Sequence, residues 1–165
     1  MEQIKFSKVR NVRTPEYGTP GSAGIDFFIP EDQGPNICVA PGEDVLIPSG
    51  IKVNLPKDIA LVAKNKSGVV TSFNALCRAG KTPKSTSLIS SLIVGACVVD
   101  CDYQGEIHLH FINTGKSEVI LHPGMKVAQF LPYYVPQYEL IEVSADTLYD
   151  GTTQRGEGSF GSTTK

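Results

Sequence analysis

The sequence predicts an all-β domain, a sandwich or barrel built from many short strands. Three observations lead there. Sixteen glycines and eleven prolines cut the 165 residues into short runs. The runs are β-prone in composition and are bounded by turn signals. No long segment with a 3.6-residue period competes with them. The length fits one domain, and a chain of this size buries about 70% of its unfolded surface without a disulfide or metal staple.

Taken in order, the first runs cover residues 4–9, 25–29, 36–40, 44–47, 51–55 and 59–63. Pro41-Gly42 and Pro48-Ser49-Gly50 separate members of this set, because Pro presets one turn dihedral and Gly supplies the positive one. A longer apolar run, 92–99, ends in two acids, Asp100 and Asp102, and Tyr103-Gln104-Gly105 then reads as a turn. Residues 106–113 alternate, with Ile107, Leu109 and Phe111 on one face and His108 and His110 on the other. This pattern predicts a β-hairpin, and strand periodicity would put Asp100 and Asp102 on one face. After Thr114-Gly115 and Pro123-Gly124 come runs 118–121, 126–131 and 138–143.

Two segments do not read as core. Residues 71–91 are rich in Ser and Thr and carry Arg78, Lys81, Pro83 and Lys84. They form a polar excursion, long for a compact domain, with a short helix expected within 71–79. The β domain spans 1–150, and the glycine-rich tail 151–165, whose main apolar residue is Phe160, reads as a flexible arm.

The formal net charge is −2, which argues against nucleic acid as the main partner. With no N-terminal apolar segment and no apolar run near 18 residues, neither a signal peptide nor a membrane span is expected, and a cytoplasmic location follows. Cys38, Cys77, Cys97 and Cys101 form no C-x-x-C pair and are expected as reduced thiols. His108, His110 and His122 invite a zinc reading, but no fourth ligand stands at a recognisable spacing.

Five stretches can carry chemistry. A carboxylate at the mouth of the hairpin, Asp100, beside Tyr103, suits a general base next to a gating ring, although acids before a Gly turn are usually solvated turn formers. Gly21-Ser22-Ala23-Gly24-Ile25-Asp26 brings small residues into a strand that bears an acid; alone it is a turn before an edge strand. Lys66-Ser67-Gly68 combines a cation, a hydroxyl and a freed backbone amide that can hold phosphate oxygens, and alone it is a polar turn. Pro123-Gly124-Met125-Lys126-Val127-Ala128-Gln129-Phe130 reads as turn and strand, with Gln129 needing a partner if buried. Arg155-Gly156-Glu157-Gly158-Ser159-Phe160-Gly161-Ser162-Thr163 has the parts of a phosphate clamp and a ring that can cover a base, and alone it is a flexible tail.

In this order the five stretches resemble the trimeric deoxyuridine triphosphatase (dUTPase) family along nearly the whole chain. The resemblance implies a jelly-roll-like subunit, a homotrimer with three shared active sites, and a tail that closes over a neighbour's nucleotide. It implies hydrolysis of dUTP to dUMP and pyrophosphate, which limits uracil in DNA and supplies dUMP for dTMP synthesis. Asp100 would be the general base that deprotonates the attacking water. Mg²⁺ would bridge the triphosphate, with Asp26 acting on it through water. Lys66, Ser67, Gly68, Gln129 and Arg155 would bind phosphates, as would Gly161, Ser162 and Thr163 of the tail. The hairpin around Cys97, Val98 and His108 would read uracil, Tyr103 would pack under the deoxyribose and Phe160 would stack on the base.

Three departures stand out. Asn65-Lys66 replaces the family's Pro-Arg, Cys97 stands at a usual glycine, and 31 residues lie between Gly68 and Asp100, more than is usual. Two rival readings remain: a nucleotide-sensing regulator that binds an unknown protein partner through 71–91, and a related pyrimidine-nucleotide enzyme such as a dCTP deaminase.

Overall fold

The computed structural model describes residues 3–70, 91–95 and 98–158. Twelve strands occur among them: β1 Lys5–Lys8, β2 Glu16–Tyr17, β3 Ile25–Phe28, β4 Ile37–Val39, β5 Asp44–Pro48, β6 Ile51–Asn54, β7 Ile59–Asn65, β8 Leu92–Val94, β9 Val98–Val99, β10 His108–Asn113, β11 Val119–Leu121 and β12 Lys126–Tyr134. A single helical turn, Ser67–Val70, and a 3-10 turn, Ala145–Thr147, complete the regular structure. The fold is all-β, as the punctuated runs predict.

The largest sheet has the order β2-β3-β12-β7-β9, a second has β5-β10-β8, and β1-β6 and β4-β11 form two-stranded sheets. Every pairing is antiparallel. The core is built from inward-facing residues of the strands. Phe27, Phe28, Phe111 and Phe130 are almost wholly buried, and the rings of Phe27 and Phe130 lie 4.5 Å apart and tilted by 49°. Leu109 and Phe111 of β10 point inward on the predicted alternation. Pro132 fits within β12 because β3 pairs only as far as Phe130, so beyond that point one edge of β12 faces no strand acceptor that would need an N–H. Gly124 has φ +74°, as a Pro-Gly turn requires at its second position.

The structure departs from the sequence pattern in three places. Run 92–99 is not one strand. β8 pairs with β10 (Phe111↔Val94), whereas β9 pairs with β7 (Leu61↔Val99), so the chain changes sheets within the run. The hairpin is therefore laddered only at its base, ending near the bond from the Gly95 N–H to the His110 carbonyl at 3.0 Å. Asp100 and Asp102 lie beyond β9 in a turn closed by the Tyr103 N–H on the Asp100 carbonyl at 3.2 Å, not on one strand face. Residues 138–143 form no strand among the described residues; Tyr138, Leu140 and Ile141 are 79%, 95% and 72% exposed. Their composition suits a strand, but a ladder needs a second edge. The short β2, by contrast, was not visible as a run, because its two residues gain their conformation only by pairing with Ile25 and Asp26.

Candidate active site

Asp26 sits on β3 opposite Gln129 of β12, and Gln129 in turn faces Lys64 of β7. The Asp26 side chain is buried, at 4% exposure, and takes two cations. Lys66, just past the end of β7, donates from Nζ to Oδ1, and Lys126 at the start of β12 approaches Oδ2 at 2.9 Å. Burial alone would push this carboxyl up. The hydrogen bonds from Lys66 and Lys126 outweigh it and hold Asp26 below the usual carboxylate range.

Gln129 completes this floor. Its Nε2 donates to the Asn65 carbonyl at 2.9 Å, which supplies the partner that a polar residue in an apolar strand needs. Gly24 makes the approach feasible: a Cβ there would stand 2.7 Å from Gln129 Oε1. Asn65 also accepts the Val94 N–H on Oδ1 at 2.6 Å, tying β8 to the Lys66 turn. Ser67 opens the helical turn that follows, and the Val69 N–H bonds to the Lys66 carbonyl at 2.9 Å. Thr19, Ser22 and Gly18 face the same cleft, of about 370 Å³. Two ammonium groups against one carboxylate leave the cleft net positive, suited to an anion.

That charge balance bears on magnesium. Asp26 is the residue implied for the metal, and both of its oxygens are engaged by ammonium groups. Among the described residues no group of three His, Cys, Asp or Glu is placed to hold a metal ion. Direct ligation of Mg²⁺ by Asp26 would compete with those ammonium groups, whereas the implied contact through a metal-bound water would still find a second acceptor site on each oxygen. The histidines are not gathered either: His110 Nε2 lies 2.9 Å from Asp44 Oδ2, and His108 Nδ1 lies 3.0 Å from the Glu106 carbonyl.

The second group of candidates is elsewhere. Asp100 is exposed and lines a separate cleft with Cys101, Asp102, Ile59 and Ala60. Tyr103 is 44% exposed, and its Oη donates to the Glu106 carbonyl at 2.9 Å, which lays the ring across Gly105. Val98, 62% exposed, and His108 flank this turn. In the five-stranded sheet Asp100 follows Val99, which faces Leu61, whereas Asp26 lies in the row of Lys64. Three strand spacings across and four residues along amount to roughly 20 Å. One chain therefore does not bring Asp100 to Lys66 and Gln129.

Arg155 lies in an exposed turn, donating from Nε to the Gly158 carbonyl at 2.9 Å. Cys97, Phe160, Gly161, Ser162, Thr163 and residues 71–90, with the helix expected in 71–79, lie outside the described residues; Gly68 falls in the helical turn Ser67–Val70. Sequence reasoning passed over Lys126, although a lysine at the start of an apolar strand is a signal that something anionic meets it. It read Asn65 only as a departure from the family's motif, because its role depends on the Gln129 side chain and the Val94 N–H of two other strands.

The dUTPase family profile matches residues 66–164. A deoxyuridine 5'-triphosphate nucleotidohydrolase from Desulfitobacterium hafniense (strain DSM 10664 / DCB-2) is 32% identical over 167 residues, covering 98% of this chain and 95% of the relative. The chain belongs to the dUTPase family. Among solved structures, the Staphylococcus bacteriophage 80alpha dUTPase with dUPNHPP superposes with a TM-score of 0.76 at 19% identity, covering 98% of both chains. A mutant dUTPase from phage phi11 of S. aureus, in which a structural Mg(II) ion is coordinated, matches with a TM-score of 0.66 at 18% identity, over 86% of this chain and 97% of that one. These two likenesses establish the fold.

Proposed function

We propose that this chain hydrolyses dUTP to dUMP and pyrophosphate at sites shared between the copies of a homotrimer. One observation carries the reading: an exposed carboxylate, Asp100, is held at a tight turn beside Tyr103, and the same chain offers a net-positive cleft around Lys66, Lys126 and Gln129. Asp100 takes a proton from a water directed at the α-phosphorus. Lys66, Ser67 and Gln129 hold the phosphates, and Arg155, Gly161, Ser162 and Thr163 of the tail close on them. Tyr103 packs on the sugar, Phe160 covers the base, and the backbone around Cys97 and Val98 selects uracil.

The separation of roughly 20 Å across the sheet supports sharing, because Asp100 and the phosphate ligands must act on the same phosphorus atom. A second copy supplies the missing half. A general base contributes about 10²–10⁴-fold, and enzymes of this kind need at least about 10⁶-fold. The balance falls to in-line positioning and to charge in the lysine cleft. Mg²⁺ belongs with the triphosphate, and Asp26, whose oxygens already take ammonium groups, would meet it only through a metal-bound water.

The test is pyrophosphate release from dUTP, dCTP, dTTP and UTP, each with Mg²⁺. Release from dUTP alone is expected. Release from another nucleotide would point to a changed base pocket around Cys97, and release from none would sink the enzymatic reading in favour of a nucleotide sensor.

A further inference from the structure

Glu106 ends the turn that carries Asp100 and Tyr103, and it is held on two sides. Its Oε1 accepts from Arg10 Nε at 2.8 Å and from the Gly50 N–H at 2.7 Å. Arg10 reaches Asp32 Oδ2 through Nη1 at 3.1 Å. The Glu106 carbonyl accepts from Tyr103 Oη at 2.9 Å. One residue thus joins the segment after β1, the turn between β5 and β6, and the ring of Tyr103.

These anchors are fixed. Gly50 has φ +75°, and a Cβ there would stand 2.8 Å from Val12 Cγ1. The Ser49 N–H donates to the Ile107 carbonyl at 2.9 Å, and the Ile107 N–H donates to the Ile51 carbonyl at 2.9 Å. The Glu106 side chain is 17% exposed, so its pair with Arg10 is less screened than a surface pair. Burial would push its carboxyl up; the Arg10 hydrogen bond and the Gly50 N–H outweigh that and keep it below the usual carboxylate range. It is ionised at neutral pH and holds Arg10 throughout.

The turn has a chemical neighbour. On the dUTPase reading the α-phosphorus attacked by the Asp100-activated water is one ester link from the sugar, which brings the sugar within reach of Tyr103, whose N–H closes the same turn on the Asp100 carbonyl. Resting on the dUTPase reading, we propose that Arg10 and Glu106 are positioning residues for sugar selection. They fix the Glu106 carbonyl, which fixes the Tyr103 ring at the depth that admits a 2′-deoxyribose and crowds a 2′-hydroxyl.

The test is the ratio of kcat/KM for dUTP over UTP in the full chain, with oligomeric state checked in parallel. Arg10→Met and Tyr103→Phe should each lower the ratio about tenfold, the order expected when one hydrogen bond that positions a group is lost. The double variant should lose little more than either single one, because both cut the same link. Arg10→Lys should recover part of the ratio. Should Arg10→Met fail to fold, Tyr103→Phe, at an exposed ring, and Glu106→Gln decide the matter. An unchanged ratio in folded variants, or additive losses in the double variant, overturns the proposal while leaving the dUTPase reading intact. A wild-type chain that hydrolyses neither nucleotide overturns the dUTPase reading, and the sugar-selection role with it.

Discussion

Lys126 Nζ stands 2.9 Å from Asp26 Oδ2 while Lys66 holds Oδ1, so one buried carboxylate carries two ammonium groups, one from β12 beside it and one from the turn after β7, a strand further across the sheet. The carboxylate gathers the cleft's positive charge and keeps the two lysines from driving each other apart.

Asp26→Asn should lower the unfolding free energy by about 2 kcal/mol, the order of hydrogen bonds to charged groups, read as a shift of the urea midpoint at unchanged slope. The effect has a definite pH dependence. The folded-state pKa of Asp26 is lowered by its lysines, so its contribution is full above the unfolded value of about 3.9 and is lost as pH falls through the folded value. The gap between wild type and variant should be flat from neutrality to about pH 5 and narrow below about pH 4. A gap that persists unchanged to pH 3 would mean that the lysines do not stabilise the ionised form.

Gly24→Ala tests the contact between β3 and β12. The new Cβ would stand 2.7 Å from Gln129 Oε1 and 3.1 Å from Gln129 Cβ, so the side chain must leave and its bond to Asn65 is lost. A cost of about 1–2 kcal/mol is expected in urea unfolding, together with weaker binding of a non-hydrolysable dUTP analogue. Wild-type stability would show that the two strands separate without penalty.

Asn113 is fully buried and satisfied on both ends. Its Nδ2 donates to the Val39 and Ser117 carbonyls at 2.8 and 2.9 Å, and its Oδ1 accepts from the Gly115 N–H at 2.9 Å and the Ser91 hydroxyl at 3.1 Å. Asn113→Ala strands those groups and should cost about 3 kcal/mol. Thermal unfolding measures it; a change within the error of the melt would contradict this network.

Asp100→Asn keeps the shape and removes the carboxylate proposed as the base. Turnover of dUTP should fall about 10²–10⁴-fold while the affinity for a non-hydrolysable analogue stays close to wild type. Substantial residual turnover would take the base role away from Asp100.

Much of the fold was readable because it is local. The alternation of residues 106–113 forecasts which side of β10 is buried, and the Pro-Gly pairs forecast the turns. What could not be read depends on partners distant in sequence. Nothing within 92–99 says that its first half joins β10 and its second half β7. Residues 138–143 have strand-like composition, yet a strand exists only against an edge. In the cleft, an acid on a strand and a lysine in a turn were each visible, but their union needs β12 to lie between β3 and β7, which no spacing in the sequence announces.

Because the Asp100 cleft and the lysine cleft have no residue in common, damage to one leaves the other whole. With sites shared between copies as proposed, the chain should, in genetic language, show complementation. Asp100→Asn and Lys66→Ala chains, each inert by itself, would regain turnover when dissociated and reassembled together, since some pairings unite two intact halves. A chain bearing both lesions would rescue nothing and would act as a dominant poison in mixed assemblies.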